Sequence, residues 1–77
     1  MAQEVRLPKL SPSMQEGIVV EWLVREGDTV EAGQPLVQIE SDKAVLDVES
    51  PAGGRLVRVA QPKGSRVPVG EVLALIE

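Results

Sequence analysis

No cysteine and no histidine occur anywhere in the 77 residues. Without cysteine there is no disulfide staple and no thiolate to act as nucleophile or metal ligand. Without histidine the commonest general base is gone, and with it the usual zinc sites and every Cys–His or Ser–His–Asp arrangement. A complete active site is therefore not expected, and neither is a metal centre. Phenylalanine and tyrosine are also missing, leaving Trp22 as the single aromatic, too little to build a platform for stacking bases. The formal net charge of −4 argues further against nucleic acid, whose phosphates favour a basic surface. No apolar run approaches the roughly 20 residues a membrane-spanning helix needs, and Met1-Ala2-Gln3-Glu4 does not open a signal peptide. What remains is a soluble domain, expected to be monomeric and to work in a bacterial cytoplasm or a mitochondrial matrix.

What is present is short apolar runs of Val, Ile and Leu punctuated by Gly and Pro, with no sustained helical spacing. That pattern indicates an all-β domain. The runs predict strands at Glu4–Leu7, Gly17–Val24, Thr29–Val30, Leu36–Glu40, Ala44–Glu49, Gly54–Val59, Arg66–Val67 and Val72–Ile76. Gly27, Gly33, Gly64 and Gly70 are the expected turn residues, since positive φ costs glycine least. A chain this short buries only roughly 60% of its unfolded surface, so it is expected to form one domain over residues 1–77.

The chain also repeats itself. Gly17, Gly27 and Gly33 return as Gly54, Gly64 and Gly70, a constant shift of 37 positions. The same shift carries Val20 to Val57, Val30 to Val67, Leu36 to Leu73, Ile39 to Ile76 and Glu40 to Glu77. Two similar four-strand halves related by a pseudo-two-fold axis are the natural reading. Packed face to face, they would bury each other's apolar side through the shared Val, Leu and Ile positions. Glu40 leads into Ser41-Asp42-Lys43-Ala44, whereas its counterpart Glu77 ends the chain. Lys43 is thus expected at one end of the domain and the C-terminus near the other.

Three lysines are available. Lys9 and Lys63 sit in Pro-containing loops, but Lys43 lies between two apolar segments close enough to pair as a hairpin, with Ser41 and Asp42 suited to the turn. From spacing alone, Lys43 is equally a solubilising turn residue or an attachment point. Glu40, Asp42, Asp47 and Glu49 form an acidic group expected around the same tip, either a solvated surface or a recognition surface. Trp22 reads as a packing or partly exposed strand residue. Gly53-Gly54 reads as a tight lead-in to the next strand, where substitution harms folding first.

The residues around Lys43 carry a resemblance. Glu40-Ser41-Asp42-Lys43-Ala44, followed by Val48-Glu49-Ser50-Pro51-Ala52-Gly53-Gly54, resembles the lipoyl-lysine signature of 2-oxo acid dehydrogenase acyltransferases. Upstream, Leu7-Pro8-Lys9-Leu10-Ser11-Pro12-Ser13-Met14-Gln15-Glu16-Gly17 is similar to the opening of the pyruvate dehydrogenase type, and Ile18-Val19-Val20-Glu21-Trp22 and Glu26-Gly27-Asp28-Thr29-Val30 fit as well. Departures are small: Ser41 replaces a threonine often found there, and Val45-Leu46-Asp47 is one variation of a tolerant segment. The resemblance implies a flattened eight-strand barrel of two four-strand antiparallel sheets, cut from a longer acyltransferase chain.

It also implies a non-catalytic swinging arm with lipoate in amide linkage on Lys43. A thiamine-dependent 2-oxo acid decarboxylase would reductively acylate that arm, an acyltransferase core would pass the acyl group to coenzyme A, and dihydrolipoamide dehydrogenase would reoxidise the dithiol. Recognition by partner enzymes or by the lipoylating enzyme is expected from Asp42, Ala44 and Glu40, and recognition of the decarboxylase from the loop residues Leu10, Ser11, Pro12, Ser13 and Met14. Rival readings are a biotinyl carrier domain, the glycine-cleavage carrier protein and an unmodified interaction module. The biotinyl family typically has methionines where Asp42 and Ala44 stand, and the glycine-cleavage carrier is longer, with added helices.

Overall fold

The computed structural model describes residues 2–42 and 44–77. Alternating apolar positions broken by glycine turns give strands and, among the described residues, no helix. The strands are β1 (Gln3–Arg6), β2 (Glu16–Trp22), β3 (Thr29–Val30), β4 (Pro35–Glu40), β5 (Val45–Glu49), β6 (Gly54–Val59), β7 (Arg66–Pro68) and β8 (Val72–Ile76). They form two antiparallel four-strand sheets. The hairpin sheet has the order β5-β4-β2-β7 and the terminal sheet the order β1-β8-β6-β3. Every expected strand is present; β3, β6 and β8 have the expected bounds and the others shift by one or two residues. The largest shift is at β2, which stops at Trp22, past an irregularity in its pairing with β4 between Val19 and Glu21.

The 37-residue shift carries β2, β3 and β4 onto β6, β7 and β8, and β1 takes in the terminal sheet the place β5 holds in the hairpin sheet. Registers agree. Gln38 faces Asp47 and Ile39 faces Leu46, while their counterparts Leu75 and Ile76 face Glu4 and Gln3. The two halves do not each form a sheet, however. The terminal sheet takes β1 and β3 from the first half and β6 and β8 from the second. Short turns at Gly27 and Gly64 send the chain across the sandwich, so the halves interleave. Those two turn glycines have φ of 98° and 92°, the left-handed region expected of them, where a Cβ would be strained.

The core lies between the sheets, and its largest fully buried side chains include the repeat pairs Leu36 and Leu73, Ile39 and Ile76, and Val30 and Val67. One expected core pair does not belong there. Val57 is 39% exposed and Val20 only half-buried. Strand side chains alternate between faces. With Val19 and Leu56 pointing inward, their neighbours Val20 and Val57 must point out. Trp22 is half-buried against the core, and its indole N–H donates to the Gln61 carbonyl at 2.8 Å.

Glycine is also required where strands approach too closely for a side chain. A Cβ on Gly17 would overlap Ile39 Cγ2 and lie 3.1 Å from Met14 Cε. A Cβ on Gly54 would meet the Glu77 carbonyl oxygen at 2.7 Å and Ile76 Cγ2 at 2.9 Å. Since Gly54 and Ile76 are the repeat counterparts of Gly17 and Ile39, the same tight crossing is built twice.

Candidate functional site

β4 and β5 form a hairpin in which Glu40 pairs with Val45, the last pair before the turn. Ser41 closes that turn twice. Its backbone N–H donates to the Ala44 carbonyl at 2.8 Å and its hydroxyl to the same oxygen at 3.0 Å. A residue with a short hydroxyl is what permits this second bond. Asp42 and Ala44 are both exposed at the tip. Lys43, the expected attachment residue between them, lies outside the described residues.

From the tip, β4 and β5 run to Pro35 and Glu49, where the Gly33 N–H reaches the Ser50 carbonyl at 2.8 Å. At that far end Val30 pairs with Gly54. The neighbouring Arg55 exchanges two backbone hydrogen bonds with Glu77, at 2.8 and 2.9 Å. Glu77 thus sits at the end of the domain remote from Ser41, Asp42 and Ala44.

The acidic group expected around the tip is instead a stripe. Glu40 and Asp42 are at the tip, but Asp47 faces Gln38 in mid-hairpin and Glu49 faces Pro35 at the far end. All four carboxylates are exposed. On β5, Asp47 and Glu49 alternate with the inward Leu46 and Val48.

The loop from Leu10 to Met14 divides by depth. Met14 is 4% exposed and part of the core. Its N–H donates to the Ser11 carbonyl at 3.2 Å, and its sulfur accepts the Leu10 N–H at 3.3 Å. Leu10 is half-buried against the core, in a groove it shares with Val48 and Pro51. Of these five residues only Pro12 and Ser13 are exposed. Met14 therefore anchors the loop, its methyl group lying against Gly17 beneath the tip end of the hairpin, where Ile39 and Glu40 lead into the turn. The Ser11 hydroxyl oxygen is buried and has no hydrogen-bond partner among the described residues.

Three residues that sequence reasoning did not single out border the tip. β2 pairs with both β4 and β7, aligning Ile18 with Glu40 on one side and with Arg66 on the other. Arg66 forms an ion pair with Glu16 at 3.0 Å. Together with Ser41 and Asp42 they enclose a shallow recess of about 390 Å³ beside the β4–β5 turn. Nothing in the linear sequence marks Ile18 or Arg66, because their closeness to the turn depends on strand order.

Of the other two lysines, Lys9 is exposed, and Lys63 is exposed with its Nζ 3.3 Å from a Glu21 carboxylate oxygen. No group of acidic side chains suited to a metal ion occurs among the described residues. The site that the geometry singles out is thus a hydrogen-bond-closed hairpin tip, exposed at Asp42 and Ala44 on both sides of a lysine in sequence.

Comparison with known proteins identifies the family. Residues 3–76 match the Biotin_lipoyl family model, described as biotin-requiring enzyme, and the chain belongs to that family. It is 44% identical over 77 residues to the dihydrolipoyllysine-residue acetyltransferase component of the pyruvate dehydrogenase complex of Zymomonas mobilis, covering 99% of this chain and 18% of that protein. It is 45% identical over 76 residues to the mitochondrial pyruvate dehydrogenase complex protein X component of Chaetomium thermophilum, covering 97% of this chain and 17% of that one. Among solved structures, the lipoyl domain of the 2-oxoglutarate dehydrogenase complex from Azotobacter vinelandii superimposes with a TM-score of 0.77 at 28% identity, over 96% of this chain and 94% of the other. The chain thus spans less than a fifth of these curated relatives but nearly all of that lipoyl domain.

Proposed function

We propose that this domain carries lipoate in amide linkage on Lys43 and presents it to the enzymes of a 2-oxo acid dehydrogenase complex, of the pyruvate type. The observation that carries this reading is the hairpin tip: Asp42 and Ala44 are exposed on either side of Lys43, and Ser41 locks the turn to Ala44 from both backbone and side chain. The tip suits such a group, because attachment asks only for an accessible amine on a fixed turn. Once attached, lipoate supplies a disulfide that accepts an acyl group and two electrons.

The chain's own residues position and present. The β4–β5 ladder fixes the turn, Glu40 and Asp42 offer carboxylates beside it, and Pro12 and Ser13 offer a second exposed element. The partners are a thiamine-dependent decarboxylase, an acyltransferase core, dihydrolipoamide dehydrogenase and the lipoylating enzyme, in a bacterial cytoplasm or a mitochondrial matrix. With the tip and Glu77 at opposite ends, a tether attached there would leave the tip free. A short flexible tether gives an effective concentration of roughly millimolar at each partner's site.

The test is mass spectrometry of the intact domain and its peptides after co-expression with a lipoate ligase or, separately, a biotin ligase. A lipoyl adduct confined to Lys43, and absent from Lys43→Gln, is the expected result. A biotin adduct instead would overturn the assignment.

A further inference from the structure

The sequence offers an attaching enzyme three lysines, and an amine on a loop looks much the same in each. Discrimination must come from the surface beside the chosen one. Beside the β4–β5 turn runs a cross-strand row of Val45, Glu40, Ile18 and Arg66. Val45 is 51% exposed, one of few large apolar side chains so open to solvent. Ile18 lies half-buried in the recess, with Glu40 and Asp42 on one side and the Arg66–Glu16 ion pair on the other.

The pseudo-two-fold supplies an internal control. At the far end the same positions hold Glu77, Arg55 and Thr29. The glutamate is retained, while the apolar centre is replaced by an arginine. The two sheets also differ in charge. The strands of the hairpin sheet carry Glu16, Glu21, Glu40, Asp47 and Glu49 against Arg66 alone. Those of the terminal sheet carry Arg6, Arg55 and Arg58 against Glu4 alone. An apolar centre within an acidic face is complementary to an apolar side chain ringed by cations.

We propose that this row and recess are the docking surface for the enzyme that acylates Lys43, whose active-site rim inserts an apolar side chain beside Ile18 and places cationic groups against Glu40 and Asp42. The inference rests on the carrier reading above. In the step it serves, the Lys43 amine attacks the carbonyl of a lipoyl adenylate. The amide C–N bond forms as the bond to the adenylate oxygen breaks, AMP leaves and the amine's proton passes to solvent.

The experiment uses the purified, unmodified domain with a lipoate ligase, lipoate and ATP, following the initial rate of adduct formation by intact mass at several salt concentrations. Ile18→Arg installs the residue found at the equivalent position of the other sheet. It is expected to lower kcat/KM about tenfold, the equivalent of about 1.4 kcal/mol. Glu40→Lys is expected to slow modification and to flatten its salt dependence, since screening acts on the attraction it removes. The mirror change, Arg55→Ile, should leave the rate within about twofold.

Far-ultraviolet circular dichroism checks folding. Should Ile18→Arg fail to fold, Glu40→Lys, at an exposed position, decides the matter. Folded Ile18→Arg and Glu40→Lys domains modified as fast as the parent would overturn the docking surface while leaving the carrier reading intact. A parent domain that gained no adduct on Lys43 would overturn both.

Discussion

Gly17→Ala adds a single methyl group at one of the most crowded points of the domain. The new carbon would occupy the space of Ile39 Cγ2 and press on Met14 Cε. Met14 is unbranched and can yield. Ile39 is fully buried, and its branched Cβ leaves it few rotamers. The strain must therefore shift β2 against β4, at the overpacking cost of about 1–3 kcal/mol. In a domain of this size, each kcal/mol lowers Tm by about 4–8 °C, so a fall on the order of 10 °C is expected.

Ile39→Leu removes the branch that collides, and alone should cost less than about 1.5 kcal/mol. The combined Gly17→Ala/Ile39→Leu variant should then be more stable than the sum of its parts by about 1 kcal/mol, the coupling expected of residues in contact. Thermal and urea unfolding followed by circular dichroism measure all four corners of this cycle. A Gly17→Ala domain within about 0.5 kcal/mol of the parent would refute the steric argument, since that is the range of a neutral surface change. Strict additivity in the double variant would do the same.

Gly27→Ala and Gly64→Ala place a Cβ in open space but at φ of 98° and 92°, so each should cost about 1–2 kcal/mol from backbone strain alone. Because the two turns are repeat counterparts, their losses should agree, and a clear inequality in Tm would contradict the equivalence of the halves. Ser11→Ala removes a buried hydroxyl with no partner among the described residues. It should leave stability unchanged or raise it by up to about 1 kcal/mol, whereas a substantial loss in urea unfolding would show that the hydroxyl is satisfied.

Much of this architecture could be read from the chain because its signals are local. Gly27, Gly33, Gly64 and Gly70 announced their turns through backbone chemistry, and all four adopt positive φ. Register announced itself through the repeat. What escaped were consequences of strand order. Val20 and Val57 match across the repeat as well as Leu36 and Leu73 do, yet matching does not tell which face a residue occupies. That is set by the neighbours Val19 and Leu56. Met14 looks like part of a surface loop in sequence, but its long apolar side chain fills space beneath Gly17. The acidic residues cluster along the sequence, whereas the extended hairpin spreads them from Glu40 at the tip to Glu49 at the far end. Ile18 and Arg66 are 48 positions apart, and only the β2–β7 pairing brings them together.

The pairing of β8 with β1 leaves a seam rather than a loop. In the hairpin sheet four residues, Ser41 to Ala44, join Glu40 to its partner Val45. In the terminal sheet the corresponding positions are Glu77 and Ala2, one step beyond the facing pair Ile76 and Gln3. A copy of Ser-Asp-Lys-Ala spliced between Glu77 and Ala2 would fit the same gap in the same register and close the backbone into a ring. The chain could then be opened at another turn, Gly64 for instance, without loss of a ladder. Such a circular permutant would present a lysine at each pole of one barrel. Only side chains such as Ile18 and Arg55 would then distinguish the poles.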